Sequence, residues 1–294
     1  MKRALAAIVV LAPAVVFAQG APPPYYTTLP PSTSDAGHDP GFVTMDRFDA
    51  STRFGAELSY LFPDHISGDL TAARADLHGQ YVDPRSGLGV YGALPMAYVS
   101  ASAPGSPSMS YTAIGDLELG GLYLPRMMTP NVALVLRAGI ALPTGASGMN
   151  EELSNTLGAF TRLDDLYLSI GGGLSGRFSG SLLVRQGQLF ARIDGGIDAN
   201  KSNSNQGNID AVAHFNAGAG IDVGQLAVMG EFVNLYDVGS TSNASGSSWI
   251  DAAALSIRFH SGQLQPYAAF VIPLDDDANA LMSYALTVGI EGVH

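Results

Sequence analysis

Hydrophobic and polar residues alternate along most of the chain from residue 53 onward. In IDAVAHFNAGAGID, residues 209–222, every odd position is apolar, whereas the even positions include His214 and Asn216. Because successive side chains of a strand point to opposite faces, a period of two predicts a β-strand between two different environments. The apolar row consists mainly of alanine. Lipid requires no interlocking side chains, so a row this small in volume suits a membrane better than a packed protein core.

The same alternation predicts about 12 strands of roughly 10–14 residues, long enough for tilted crossings of a bilayer. They are predicted at residues 53–62, 69–82, 87–101, 112–124, 131–142, 166–177, 188–199, 209–222, 225–237, 248–260, 264–273 and 282–293. One row of each strand is apolar and the other is mixed or polar, as a barrel with lipid outside and water inside requires. The sequence therefore predicts an all-β fold, a transmembrane antiparallel up-and-down β-barrel over residues 49–294.

The connections between the predicted strands support this topology. Long and short connections mostly alternate, as they do in outer-membrane barrels with long external loops and short periplasmic turns. The polar tracts at 200–208 and 239–248 and the long connection at 143–165 fall on the external side. One connection, FSGSLLVRQG at 178–187, should be short and is not, which indicates an error in the predicted boundaries there.

The N-terminal residues carry an export pattern. Lys2 and Arg3 precede an apolar run that ends at small residues, which predicts a signal peptide over residues 1–18. Residues 19–48 are rich in proline and are predicted to form a flexible periplasmic lead-in, with a lumen plug or a partner-binding tail as the alternatives. The predicted localisation is the cell outer membrane.

Composition and charge exclude some classes of protein. Charged residues make up only 14% of the 294 residues, and the net charge is −12. This balance excludes a nucleic-acid partner, which requires basic patches. The chain has no cysteine, so no disulfide stabilises it. After the predicted signal peptide, no apolar stretch is long enough for a helical membrane span.

Three stretches resemble a known family of barrels. IGDLELGGLYL at 114–124, VALVLRAGIALPTG at 132–145 and LQPYAAFVIPL at 264–274 are similar to the outer-membrane barrel family named for the meta-pathway of phenol degradation. The resemblance spans most of residues 50–294 and implies a transporter-like barrel for aromatic or other apolar compounds. It implies no particular site residues. The chain departs from such barrels at its end, where EGVH replaces a terminal aromatic residue.

The inward rows of the predicted barrel carry much of its charge. The candidate residues that line the lumen or bind solute are Glu57, Arg74, Asp76, His78, Asp116, Glu118, Arg137, Arg192, Asp194, His214, Asn216, Glu231 and Arg258. They would set solute selectivity, or they would form an ion-pair network that stabilises a closed interior. Arg137 must face inward, because a lipid-facing arginine near the midplane costs roughly 2–4 kcal/mol. It is expected to pair with one of these carboxylates.

Catalysis and metal binding have little support in the sequence. His260 and Ser261 are adjacent, so in a strand they would point to opposite faces, the wrong arrangement for a Ser–His hydrogen bond. The DDD run at 275–277 would lie in a loop, where a solvated turn is favoured over a calcium site. We expect no enzyme activity, no cofactor and no bound metal.

Two hypotheses about function remain. The first is a channel or transporter for uptake of small, weakly polar or aromatic solutes, with Tyr91, Phe190 and Tyr267 adding apolar patches to the lumen. The alternative is a filled structural or surface-binding outer-membrane barrel with no transport role. A barrel of about twelve strands is narrow enough for either. The expected partners are outer-membrane lipid, a small-molecule solute and the barrel-assembly machinery.

Overall fold

The structure, a computed structural model, describes most of the chain after residue 40. The described residues are 41–47, 49–63, 69–102, 108–125, 131–145, 148–166, 173–202, 209–238, 249–260, 262–279 and 282–294. The predicted signal peptide at 1–18 and the greater part of the predicted lead-in at 19–48 lie outside them, so both remain predictions.

Strands dominate the described residues. They are β1 (Arg53–Phe62), β2 (Asp69–Val82), β3 (Leu88–Ser102), β4 (Met109–Ile114), β5 (Leu117–Tyr123), β6 (Val132–Leu142), β7 (Gly173–Gln186), β8 (Leu189–Ser202), β9 (Asp210–Val223), β10 (Leu226–Asp237), β11 (Trp249–Phe259), β12 (Leu264–Pro273) and β13 (Tyr284–Val293). The helices are α1 (Met149–Ala159), a 3₁₀ helix (Leu163–Asp165) and α2 (Asp276–Asn279). Most predicted strands agree with these bounds to within a few residues.

The strands close into an antiparallel barrel. Successive wall strands pair with each other, and β1 also pairs with β13, from Arg53 opposite Val293 to Phe62 opposite Tyr284. β4 and β5 are two pieces of one wall strand, so the closed barrel has 12 strands. The predicted fold class is therefore confirmed. We call the end that holds the β2–β3, β7–β8 and β9–β10 turns the short-turn end, and the opposite end the long-loop end.

The wall strand predicted at 112–124 is interrupted in the middle. β4 pairs with the long-loop half of β3, and β5 pairs with the other half. Between the two pieces the N–H of Gly115 donates to the carbonyl of Pro95 at 2.8 Å, and Asp116 is buried. β6 pairs with β5 but not with β4. Within the described residues the second edge of β4 thus has no strand partner, and α1 packs beside it.

The two faces of the wall differ as the alternation predicts. On β1, the Leu58 side chain is 53% exposed on the outer face, whereas Glu57 is 6% exposed on the inner face. The same contrast holds on β9 between Phe215 and its neighbour His214. At the long-loop end Tyr236 and Trp249 pack against each other on the outer face, with ring centroids 4.5 Å apart and the ring planes tilted by 43°. Aromatic pairs at strand ends are typical of the interfacial level of a membrane barrel.

The strand predicted at 166–177 was given too early an end. β7 (Gly173–Gln186) continues to Gln186, so FSGSLLVRQG belongs to the wall rather than to a connection, while residues 167–172 of the predicted strand lie outside the described residues. Phe178 points outward from this segment, and Ser179 is buried inside. The turn to β8 takes two residues and contains Gly187, whose φ of +62° favours glycine. A short turn therefore replaces the long connection that the sequence analysis placed here.

Two segments lie inside the barrel. The first, which we call the lead-in segment, comprises residues 41–50 and is buried up to Asp49 where it is described. The second, which we call the inserted loop, comprises residues 148–166 and contains α1 and the 3₁₀ helix. The lead-in segment lies in the lumen, as the alternative interpretation of residues 19–48 as a lumen plug would place it. The inserted loop was expected outside, but residues 157–165 are buried. None of the described helices is long and apolar enough to cross a membrane.

Candidate functional site: a lumen closed by two inserted segments

Asp165 of the inserted loop lies at the centre of the buried charges. Its Oδ2 is 2.7 Å from Arg47 of the lead-in segment and 2.9 Å from Arg162. Its Oδ1 is 2.9 Å from Arg177 of β7, and Arg74 of β2 lies 3.4 Å from Oδ2. One carboxylate therefore joins both inserted segments to two separate parts of the wall.

Wall carboxylates complete the environment of Arg47. Its guanidinium lies 3.3 Å from Glu57 and 3.5 Å from Asp76. Asp76 also accepts a bond from Arg74 at 2.7 Å, and Glu57 accepts one from the Tyr267 hydroxyl at 2.8 Å. Breaking a buried pair by removing one partner costs about 3–5 kcal/mol, because the other charge is left uncompensated. The arginine of the lead-in segment is therefore held by three carboxylates at once.

Asp164, beside Asp165, contacts the opposite side of the wall. Its Oδ1 lies 2.8 Å from His214 Nδ1 and accepts a bond from the Asn216 amide at 2.7 Å. Arg177 completes this region by bonding Asp198 at 2.8 Å. The 3₁₀ helix thus presents two consecutive carboxylates in different directions. His214 and Asn216, both predicted as lumen residues, bind this part of the inserted loop.

Asp46 of the lead-in segment is the partner of Arg137. The Arg137 guanidinium lies 2.7 Å from Asp46, and its Nε donates to Ser179 at 3.1 Å. The prediction that Arg137 faces inward is correct, but the carboxylate comes from the lead-in segment and not from the predicted set. Arg192 and Asp194 bond each other at 2.7 Å, side by side on β8.

A second cluster lies toward the short-turn end. Glu291 of β13 bonds Arg53 at 2.9 Å and Arg258 at 2.6 Å. His78 contacts the same carboxylate at 3.2 Å through Nε2 and faces Arg47 through Nδ1, also at 3.2 Å. His78 and Arg258 were predicted lumen residues, and the structure unites them around Glu291, which the sequence analysis did not single out.

The remaining predicted residues are also buried inside. Glu118 accepts a bond from the Tyr91 hydroxyl at 2.8 Å. Asp116, at the break between β4 and β5, accepts a bond from the N–H of Gly145 at 2.8 Å. Glu231 binds the lead-in segment directly, with the N–H of Thr44 at 2.6 Å. Every predicted lumen residue therefore faces the interior, while its role in binding solute remains a prediction.

Inward aromatic rings lie along the wall instead of projecting into the lumen. A side-chain carbon placed on Gly120 or Gly139 would collide with the Tyr91 ring, and one on Gly289 would collide with Tyr267. The Phe190 ring lies over a glycine of β9 in the same way. These glycines let the rings pack flat across neighbouring strands. The space at the centre of the barrel is consequently taken by the two inserted segments.

Several residues of this network were missed by the sequence analysis. They are Asp46, Arg47, Arg53, Arg162, Asp164, Asp165, Arg177 and Glu291. Most belong to the inserted segments, which have no two-residue period to indicate an inward direction. The available signal was compositional: MDR at 45–47 and RLDD at 162–165 concentrate charge in segments predicted to be a linker and a loop.

The ionisation of the two central aspartates depends on their surroundings. Burial penalises the charged form of Asp165, but the guanidinium groups of Arg47, Arg162 and Arg177 hold the pKa of this carboxyl well below its usual range. Burial also opposes ionisation of Asp164, while the charge and hydrogen bond of His214 lower its pKa. Both carboxylates are therefore stabilised as anions where the inserted segments meet the wall.

Protonation of Asp164 and Asp165 is expected to loosen the inserted segments below about pH 4, the ordinary range of an aspartate carboxyl. Because the folded-state pKa values of Asp164 and Asp165 are lowered, their contribution to stability is complete above the unfolded-state value. It is lost as the pH falls through the folded-state values. The measurement is the current through single barrels in a planar bilayer at decreasing pH. An increase that begins between about pH 5 and 7 would contradict this, since Asp164 and Asp165 would not be the titrating groups.

Residues considered for catalysis and metal binding show no assembled centre in the described part of the chain. His260 Nε2 lies 3.6 Å from Asp222, and Ser261 is outside the described residues. Within the described ranges, no group of three or more histidine or acidic side chains is arranged to hold a metal ion.

Comparison with solved structures concerns the fold. The chain is similar to an outer membrane channel from Pseudomonas putida F1, with a TM-score of 0.61, 14% sequence identity and coverage of 86% of this chain and 100% of that chain. The translocator domain of the autotransporter NalP from Neisseria meningitidis has a TM-score of 0.47 and 11% identity, with coverage of 84% and 90%. No family model and no curated protein matches the sequence. The fold is that of an outer-membrane barrel.

Proposed function

We propose that the protein is an outer-membrane channel for small, weakly polar or aromatic solutes, whose lumen is closed by the lead-in segment and the inserted loop. The observation that carries this proposal is the way the interior is filled. A small barrel with a permanent structural role can fill its interior with side chains of its own wall. Here Tyr91 and Tyr267 lie flat over wall glycines, and the central space holds two segments that are not part of the wall.

The solute class is inferred from the surfaces that withdrawal of these segments would uncover. Carboxylates and guanidinium groups such as Glu57 and Arg137 would stand beside the rings of Tyr91 and Tyr267 and the side chain of Val135. A few polar groups on an otherwise apolar wall are the usual arrangement of a small-molecule site. Solutes that combine an aromatic ring with one polar group fit both parts of this surface.

The interruption between β4 and β5 supports a weakly polar solute. Ile114 of β4 is exposed on the outer face where the wall strand is interrupted, and Leu153 of the adjacent α1 is also exposed. Apolar side chains at the interruption between β4 and β5 would offer apolar compounds a binding surface next to the lipid. The resemblance to the phenol meta-pathway barrels is consistent with such a solute. We also propose that outer-membrane lipid and the barrel-assembly machinery are partners of this channel.

A disulfide between the inserted loop and the wall tests whether the loop must move. An ideal Cβ on Gly158 of α1 lies 3.1 Å from the Cβ of Ala97 on β3, slightly closer than the separation of about 3.5–4.5 Å in disulfides. The native chain has no cysteine, so the double variant Ala97→Cys/Gly158→Cys has a single thiol pair. We expect the oxidised variant to block entry of labelled benzoate-like solutes into liposomes and the reduced variant to restore it.

The single variants Ala97→Cys and Gly158→Cys are the matched controls, and both are expected to transport as the wild type does. Equal entry through the oxidised and reduced double variant would show that passage does not require movement of the loop. The structural alternative would be favoured if the wild-type barrel admitted none of the tested solutes, and if a deletion strain lost envelope integrity instead of solute uptake.

A further inference from the structure

The main chain of the lead-in segment is bound by side chains. Barrel strands bond main chain to main chain, and that ladder depends little on side-chain identity. Residues 43–46 are instead held by carboxylates and guanidinium groups that project from the wall and from the inserted loop. The segment is bent at residues 43–45, and its main chain is held as that of a bound ligand would be, by side chains around it.

Three consecutive N–H groups of the lead-in segment converge on Glu231 of β10. Val43 donates to Oε1 at 3.1 Å, and Thr44 and Met45 donate to Oε2 at 2.6 Å and 3.3 Å. The Thr44 hydroxyl adds a further bond to Oε2 at 2.8 Å. Ser256 of β11 also donates to Glu231. Hydrogen bonds to a charged acceptor are roughly twice as strong as neutral ones, so this carboxylate dominates recognition of the N–H groups.

The carbonyl groups of the same segment are bound by arginines. Arg162 donates to the carbonyl of Met45 at 2.6 Å and also bonds that of Val43. Arg192 donates to the carbonyl of Asp46 at 2.6 Å. Acceptors and donors of one short stretch are thus satisfied by opposite charges fixed in the lumen. None of these contacts depends on the side chain of the residue whose main chain is bound.

Side chains of the lead-in segment add selectivity at a few positions. Phe42 packs edge-on against Phe190, with ring centroids 5.7 Å apart. The space for Phe42 and Met45 exists because residue 218 of β9 is glycine. Asp46 is anchored by Arg137. An incoming peptide would therefore need an apolar residue and, four positions later, an aspartate.

We infer that the barrel lumen contains a binding site for a bent peptide segment, and that residues 41–47 are its resident and exchangeable ligand. The site recognises three N–H groups in a row through Glu231, the following carbonyls through Arg162 and Arg192, and an aspartate side chain through Arg137. The inference concerns peptide binding and holds whether or not a small solute passes through the barrel.

The test uses the full chain, folded before any cut is made. A protease recognition sequence is inserted between Ala50 and Ser51, and the folded barrel is cleaved so that the segment is no longer covalently attached. A fluorescent synthetic peptide with the sequence of residues 39–50 is then added, and binding is followed by anisotropy. We expect saturable entry of this peptide with release of the native segment.

Amide-to-ester replacement in the peptide separates main-chain recognition from side-chain recognition. An ester at Thr44 removes the N–H that donates to Glu231 and should weaken binding about tenfold, the loss expected for a hydrogen bond to a charged acceptor. The matched control is an ester at Phe42, whose N–H has no hydrogen bond among the described residues. Each ester also weakens the preceding carbonyl as an acceptor, that of Gly41 bound by Arg258 or that of Val43 bound by Arg162, so the Phe42 ester isolates this effect and should bind more tightly than the Thr44 ester.

A barrel variant completes the cycle. In cleaved Glu231→Ala, the Phe42 ester and the Thr44 ester should bind equally, because the acceptor that distinguishes them is gone. The inference would be overturned if no labelled peptide entered the cleaved wild-type barrel, or if the Thr44 ester bound that barrel as tightly as the Phe42 ester. The decisive comparison is between the two esters in the cleaved wild-type barrel. It is therefore valid even if Glu231→Ala fails to fold.

Discussion

Replacing Asp165 with alanine is expected to release the inserted segments and produce a large increase in single-channel current. The substitution leaves the buried guanidinium groups of Arg47, Arg74, Arg162 and Arg177 without the carboxylate that joins them. Loss of one partner in a buried ion network costs about 3–5 kcal/mol. That cost falls on the contact between the two segments and the wall, since the wall itself is held by its strand ladder.

The measurement compares currents of wild type and Asp165→Ala in planar bilayers, with folding verified by the heat-dependent mobility of the barrel in gels. Asp83→Ala is the matched control, because this carboxylate lies in the exposed β2–β3 turn and bonds only local groups. Asp165→Asn, which keeps an acceptor but not the charge, should give an intermediate current. An Asp165→Ala barrel with normal mobility and wild-type current would refute the role of this cluster in closing the lumen.

Replacing Gly218 with valine is expected to expel the start of the lead-in segment from its place against β9. A Cβ at Gly218 would lie 2.7 Å from the Met45 sulfur and closer still to the Phe42 ring. The nearest atoms are side chains of the lead-in segment and not of the wall, so the strain acts on the segment. Overpacking of this kind costs about 1–3 kcal/mol. The wall should tolerate the change, since valine favours strands.

Trypsin cleavage after Arg47 measures the displacement, because this bond is protected while the segment is buried. The matched control is Gly230→Val on the adjacent strand β10, where a Cβ would meet nothing within 4 Å. We expect faster cleavage and higher current for Gly218→Val, with neither change for Gly230→Val. Equal protection of the two variants would mean that residues 42–45 are not held against the wall as the structure indicates.

The two substitutions distinguish the contributions of the inserted segments. Asp165→Ala acts on the point where both meet, whereas Gly218→Val acts on the lead-in segment alone. If current increases in the first variant and cleavage after Arg47 increases only in the second, the inserted loop controls the opening. If both quantities increase in both variants, the segments leave together, as their contacts through Asp165 and Arg162 favour.

The wall and the direction of its side chains were predictable because the relevant information is local. A period of two is a property of a few consecutive residues, and lipid on one side imposes it on nearly every strand. Glu57, Arg137 and His214 could therefore be placed inside without knowing their neighbours. The exceptions were 112–124 and 166–177. There the wall strand is interrupted at Asp116, and β7 ends later than the alternation suggested.

The contents of the lumen were not predictable in the same way. Arg137 was expected to pair with a wall carboxylate, yet its partner is Asp46, which lies in the segment interpreted as a linker. Asp165 lies in a connection that was expected outside the barrel. Neither segment has a repeating pattern, and a polar composition suits water and a charged lumen equally well.

The sequence by itself determined the class of the fold, the inward row of charges and the surface presented to lipid, because each depends on alternation within single strands. Only the tertiary structure decided what fills the barrel. Ion pairs such as Arg47–Asp165 join residues more than a hundred positions apart, and their geometry arises only once the sheet has closed around them. A closed wall converts a linker and a loop into a plug, since the buried charges of each satisfy those of the other.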